Sequence, residues 1–250
     1  MNIFLVAILG LVVGSFLNAV IYRLHVGVSF MRGRSYCPHC KHSLVAKDLI
    51  PLLSYLLLRG HCRYCHKPIS WQYPLVEAAM SIAYVLLYWQ FGLAPVFFVY
   101  MVFASILMLI FVFDLKYYLI LDKVSVPAIV LAFILSVAVL KISMVSLCIG
   151  AIAGGGFFLL QFLISRGKWI GGGDIRLGIL MGMMLGWPHV LVALAVAYFI
   201  GSFIGIALIL SRRKKWHSQV PFGTFLTIAT YAAFFIGAKI VEYYQGILAI

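Results

Sequence analysis

The chain holds only six acidic residues among 250: Asp48, Glu77, Asp114, Asp122, Asp174 and Glu242. Two of them stand in apolar sequence. Asp174 follows three glycines in Ile170-Gly171-Gly172-Gly173-Asp174-Ile175-Arg176-Leu177, and Asp114 closes an apolar run in Phe111-Val112-Phe113-Asp114-Leu115-Lys116. A carboxylate at a membrane boundary is costly, so such a residue is a functional candidate. Two carboxylates at one depth can share a proton, because like charges a few ångströms apart do not both ionise cheaply. One then activates water while its partner protonates the carbonyl or leaving group, the chemistry of an aspartic protease. The glycines allow a close backbone approach, so bulk at Gly173 is expected to block that chemistry. The plainer alternative is a Gly-rich connection in which Asp174 caps a helix. Asp122 lies on the same connection as Asp114 but beside Lys123, and reads as the N-cap of the following helix.

A second constellation is Cys37-Pro38-His39-Cys40 with Cys62-Arg63-Tyr64-Cys65. Paired CxxC knuckles at this separation suit a zinc ribbon, and four thiolates complete a closed tetrahedral site, which makes the metal structural. Two disulfides are the competing reading, disfavoured if the loop faces a reducing cytosol. Cys148 lies inside an apolar run and reads as a small core residue. Asn18 reads as a packing contact, and Glu77 as a helix-start acid favoured by the macrodipole.

The elements that must position these groups are apolar. Hydrophobic residues make up 65% of the chain and charged residues 10%, whereas soluble domains are about a quarter charged. Runs of spanning length recur at roughly 3–22, 75–91, 94–113, 124–140, 144–165, 177–187, 190–211 and 222–249. The expected fold is therefore an all-α polytopic membrane protein of about eight transmembrane helices. The division is 1–22 as the first span, 23–73 as a cytoplasmic zinc-binding loop and 74–250 as a multi-helix intramembrane domain. The first run has no basic n-region and reads as a retained span. In the short sixth run Gly178, Gly182 and Gly186 recur on one face, which allows close helix packing.

The net charge of +13 reads as topological charge and not as a nucleic-acid footprint. With eight spans, every basic residue except Lys141 and Lys239 falls on one side, including Arg32 and the run Arg212-Arg213-Lys214-Lys215. Basic residues mark the cytoplasmic side. The N-terminus is therefore expected outside, with the cysteine loop, Asp114 and Asp174 at the cytoplasmic face.

With the acids and cysteines in place, the chain resembles the type 4 prepilin peptidases of bacteria over nearly its whole length. The resemblance rests on Gly14-Ser15-Phe16-Leu17-Asn18 with Tyr22-Arg23, the two CxxC pairs and Tyr73-Pro74-Leu75-Val76-Glu77. It continues through Asp114 and Asp122, Gly171-Gly172-Gly173-Asp174-Ile175 and Val220-Pro221-Phe222-Gly223. It implies a membrane aspartic endopeptidase that cuts the basic leader of type IV pilin-like or pseudopilin precursors after Gly. It also implies N-methylation of the new N-terminus by S-adenosylmethionine, and Asp114 with Asp174 as the catalytic pair. The chain has Arg176 where the family often has Lys, and Leu121 and Thr224 where it often has Pro. A presenilin-type protease fits less well, since the CxxC pairs have no place in it. A non-enzymatic alternative is a metal or solute transporter with a zinc-binding cytosolic loop.

Overall fold

Long apolar runs leave the backbone no partner but itself in lipid, and the chain answers with helices. The computed structural model describes residues 2–29, 33–211 and 220–248, and among these nine α-helices dominate. They are α1 (Ile3–His25), α2 (Leu53–Leu57), α3 (Gln72–Phe91), α4 (Pro95–Tyr117), α5 (Asp122–Ala138), α6 (Met144–Ser165), α7 (Gly172–Leu185), α8 (His189–Leu210) and α9 (Phe222–Leu248). The only β-structure among the described residues is two isolated bridges, Tyr36 with Ser43 and His61 with Pro68. Arg32 and Arg212, Arg213, Lys214 and Lys215, which enter the charge argument, lie outside the described residues.

Each of the eight expected runs is a helix, but five rather than eight are long and apolar enough to cross a membrane: α1, α4, α6, α8 and α9. The others fall short for physical reasons. Helix α3 carries Glu77 and begins on Gln72. Helices α5 and α7 have 17 and 14 residues, about 26 and 21 Å at ~1.5 Å per residue against a hydrocarbon core of ~30 Å.

The chain divides into two compact units, residues 1–109 and 110–250, with α4 running from one into the other. In the first unit α1 and α3 pack antiparallel through small residues. A Cβ on Gly10 would lie 2.5 Å from the Ser81 Cα, and one on Gly14 2.7 Å from the Glu77 Cα. Fully buried Asn18 donates to the Tyr73 carbonyl at 3.0 Å and accepts from Gln72 at 3.1 Å, so it is a packing contact as expected.

In the second unit α6 and α7 meet backbone to backbone. A Cβ on Gly178 would fall 2.5 Å from the Gly154 carbonyl oxygen, and one on Gly182 2.3 Å from the Gly150 carbonyl oxygen. The Trp187 N–H then donates to the Ser146 carbonyl at 3.1 Å. The far end of α7 is thus level with the start of α6. The Ser136 hydroxyl of α5 donates to the Met183 carbonyl at 2.8 Å. Cys148 is exposed on α6 and not in the core: it lies on the outer face, while Gly150 and Gly154 take the inner one.

Candidate functional site

Asp114 lies in the last turn of α4 and is 6% exposed. A buried carboxylate needs donors, and α9 supplies them from its first turn. The Thr224 N–H donates to Asp114 Oδ2 at 2.9 Å, and the Gly223 N–H also donates to this carboxylate. The unpaired N–H groups and positive end of a helix favour an anion there. The approach requires glycine, since a Cβ at Gly223 would lie 2.9 Å from Oδ2.

Asp174 is the third residue of α7. Its Oδ2 accepts from the Gly171 N–H at 3.1 Å, so the capping role is real. The carboxylate is close enough to Asp114 for the two to act on each other as like charges. Ile120, 7% exposed, stands between their supporting turns. Its Cδ1 would lie 3.3 Å from a Cβ on Gly173 and 3.1 Å from one on Gly223. The close approach at Gly173 is therefore to Ile120 of this chain. The glycine triplet is also not uniform: a Cβ on Gly172 would meet nothing within 4 Å.

Asp122 is the first residue of α5, and its helix cap is Leu121, which lends no side chain. Its carboxylate is exposed and paired with Arg176 of α7. Residues two apart on a helix do not share a face, so Arg176 turns toward α5 while Asp174 turns back to the Gly171 N–H. Tyr198 of α8 lies within electrostatic reach of Asp174 and exchanges hydrogen bonds with Gln161 of α6 at 2.9 and 3.1 Å. Its ring is 5.0 Å from that of Phe222, the residue before Gly223.

The four loop cysteines converge. All four Sγ atoms lie within 4.8 Å of one another, with Cys37 and Cys65 at 3.9 Å, and none is in a disulfide. Sulfurs at ~2.3 Å from a tetrahedral zinc would be about 3.8 Å apart, so the cluster fits a metal. Each CxxC is a knuckle of the same build. The Cys37 N–H donates to the His42 carbonyl and the Cys62 N–H to the Lys67 carbonyl, at 3.0 and 2.9 Å. The chain then reverses through left-handed Lys41 (φ 60°) and His66 (φ 55°).

Burial pushes the Cys37 thiol up, but the N–H groups of Cys40 and His39 and the neighbouring thiols outweigh it and bring it to about 7. The Lys67 N–H lowers Cys65, yet burial and the other three thiols push it up to about 11. A dication held here would take the sulfurs as thiolates and displace their protons. Asp48 joins the knuckles: it accepts from Arg63 Nε at 2.6 Å, the Tyr64 hydroxyl at 3.0 Å and the Val45 N–H at 3.3 Å.

Glu77 is not in the first turn of α3, so the macrodipole does not account for it. It is buried and accepts the Leu52 N–H at 2.8 Å.

A helical membrane protein with a buried carboxylate and a half-buried one on helix ends, and a separate four-cysteine loop, is the class these features define. Comparison with known proteins sharpens this. Residues 8–91 match the bacterial peptidase A24 N-terminal domain, and residues 101–206, which hold Asp114 and Asp174, match the type IV leader peptidase family. A prepilin leader peptidase/N-methyltransferase of Aeromonas hydrophila is 34% identical, over 96% of this chain and 92% of its own length. Proteins of the same name from Bacillus subtilis and Legionella pneumophila are 30% and 29% identical, over 95% and 96% of this chain and 95% and 93% of theirs. No solved structure matches significantly. The chain belongs to the type IV leader peptidase family and is a multi-pass membrane protease. Nothing in these findings supports the transporter reading.

Proposed function

We propose that the chain is an aspartic endopeptidase that cleaves the leader of type IV prepilin-like precursors after Gly at the cytoplasmic face of the membrane, and then N-methylates the new N-terminus. The observation that carries this reading is that Gly173, beside Asp174, and Gly223, a donor to Asp114, both close on Ile120. Asp114 and Asp174 are the catalytic residues. One carboxylate takes a proton from water as it attacks the scissile carbonyl, and the other donates to the leaving amine. The α9 N-terminus fixes Asp114 through Gly223 and Thr224.

Cys37, Cys40, Cys62 and Cys65 hold a structural Zn2+, for which the sulfur spacing is the support. On this reading residues 23–73 form the zinc-binding loop on the cytoplasmic side, 1–22 the first span and 74–250 the peptidase portion. The N-terminus faces outward. S-adenosylmethionine supplies the methyl group, as the family resemblance implies; the relatives are named N-methyltransferases. The loop's described glycines stand singly at Gly27, Gly33 and Gly60, so the loop does not fit a glycine-rich nucleotide cradle.

The test is to incubate purified protein with pilin-like precursors and identify the new N-terminus by mass spectrometry, with Asp174→Asn as control. Cleavage after Gly, an added methyl group and no product from the variant are the expected results. An uncut precursor, or equal cleavage by the variant, overturns the assignment.

A further inference from the structure

We propose that helix α2 and Trp71 are seated in the lipid of the bilayer, with Leu53, Leu56, Leu57 and Trp71 against acyl chains, rather than standing in an aqueous loop. These side chains are 49%, 69%, 73% and 71% exposed in the protein. No charged residue interrupts the sequence between Asp48 and Arg59.

Depth is set by the register of α1 on α3. Gly14 lies against Glu77, and Asn18 is bonded to Tyr73. Trp71, just before α3, is thereby level with Val20, while the first charged residue of α1 is Arg23. Leu52, the N-cap of α2, is tied deeper. Its N–H donates to Glu77 at 2.8 Å, and the Ser15 hydroxyl also bonds this carboxylate. Gly14 lies roughly 13 Å along α1 from Arg23 at ~1.5 Å per residue. A glutamate reaches toward the N-terminus of its own helix, but its length does not close that distance.

The backbone is prepared for such a place. Lipid admits only segments whose polar groups are paired. Ser54, Leu56, Leu58 and Gly60 N–H groups donate to the Ile50, Leu52, Ser54 and Tyr55 carbonyls, at 2.9 to 3.0 Å. The Leu52 N–H, which no helical carbonyl can take, is met by Glu77. Leu52 sits at φ 57°, a conformation rare for a branched side chain, and that bond holds it there. The Tyr55 and Trp71 rings meet at 5.4 Å, an aromatic pair of the type that settles at a lipid–water interface. Lys47 and Arg59 flank the segment in the sequence and suit anionic headgroups.

The test places the photo-crosslinker p-benzoylphenylalanine singly at Leu56, Leu57 or Trp71 of the full chain, in nanodiscs of phosphatidylethanolamine and phosphatidylglycerol. Phe199, 79% exposed on the spanning helix α8, is the lipid-facing reference, and exposed Lys67 the water-facing one. Lipid adducts at the three positions are expected within about threefold of Phe199 and about tenfold above Lys67. Yields no higher than at Lys67, or adducts to a second copy of the chain in place of lipid, overturn the proposal. If the probe at Leu56 or Leu57 prevents membrane accumulation, Trp71, already a large aromatic, decides between the same outcomes.

Discussion

Asp114 and Asp174 were legible as residues because carboxylates are conspicuous in apolar sequence. What holds them was not. The donors to Asp114 are Gly223 and Thr224, the latter 110 residues away, and no local pattern joins them. Val220-Pro221-Phe222-Gly223 carried a resemblance but no role until α9 was seen to end on the carboxylate. Asp114→Asn and Asp174→Asn are each expected to reduce precursor cleavage by at least ~10³-fold, with normal accumulation in the membrane. Asp122→Asn keeps its hydrogen bond to Arg176 and should stay within about threefold of wild type. Near-normal processing by Asp114→Asn would end the carboxylate-pair mechanism. Gly223→Ala puts a methyl group 2.9 Å from Asp114 Oδ2, so kcat should fall while precursor binding persists; kinetics at matched protein levels decide this. At Asp48, burial pushes the carboxyl up, but Arg63, the Val45 N–H and the Tyr64 hydroxyl outweigh it and hold the group below its usual range. A carboxyl lowered by folding stabilises above its unfolded value of ~3.9, and that stability is lost as pH falls through the folded value. Asp48→Asn should therefore lower the thermal midpoint of loop unfolding at pH 7, with the gap to wild type closing below about pH 4.

Helices were the easiest elements to read, because bilayer-length apolar runs leave little choice of structure. Their ends were harder. Helix α3 begins on Gln72, and α5 begins on Asp122 itself. Short α2 was missed, since its five residues give no period to read and its N-terminal bond comes from Glu77. The glycine stripe of α7 proved to be the seam with α6, and it makes a prediction at this scale. Gly182→Ala drives a methyl group into the Gly150 backbone and should cost about 1–3 kcal/mol, read as a lower thermal midpoint in detergent. Gly156→Ala, with nothing within 4 Å, should be silent. A loss at both positions would deny the seam its special part, because helix propensity favours alanine over glycine. Gly173→Ala should impair cleavage by displacing Ile120, whose Cβ would be 2.8 Å away. The Asp122–Arg176 pair joins α5 to α7. Its charge reversal in Asp122→Arg should lower kcat, and the double variant Asp122→Arg/Arg176→Asp should recover it. Failure of the swap to recover activity would deny the pair any part in aligning the helices.

In the whole molecule the two proposed chemistries occupy different units. The cysteine cluster lies in residues 1–109, while both carboxylates and the donors to Asp114 lie in 110–250. Cys37→Ser is expected to abolish the bound metal, measured by elemental analysis, while cleavage falls far less than in Asp114→Asn. Equal loss of cleavage would mean that the loop takes part in catalysis. Composition set the boundary at residue 73 in the sequence, and the one inside α4 was not visible in it, because an uninterrupted helix carries no mark of it.

The shortness of α7 has one more consequence. Its far end is level with the start of α6, and the seam from Gly150 to Gly182 and from Gly154 to Gly178 carries that register along both helices. Asp174 therefore comes level with Phe158, and α6 continues to Ser165. The carboxylate is recessed about two turns, roughly 10 Å at ~1.5 Å per residue, below the end of its neighbour. It is set back from the end of α6 and not level with it. Reagents should sort by solubility: an apolar carbodiimide should modify Asp174 readily, while a bulky water-soluble one should react with Asp122 and leave Asp174 largely untouched.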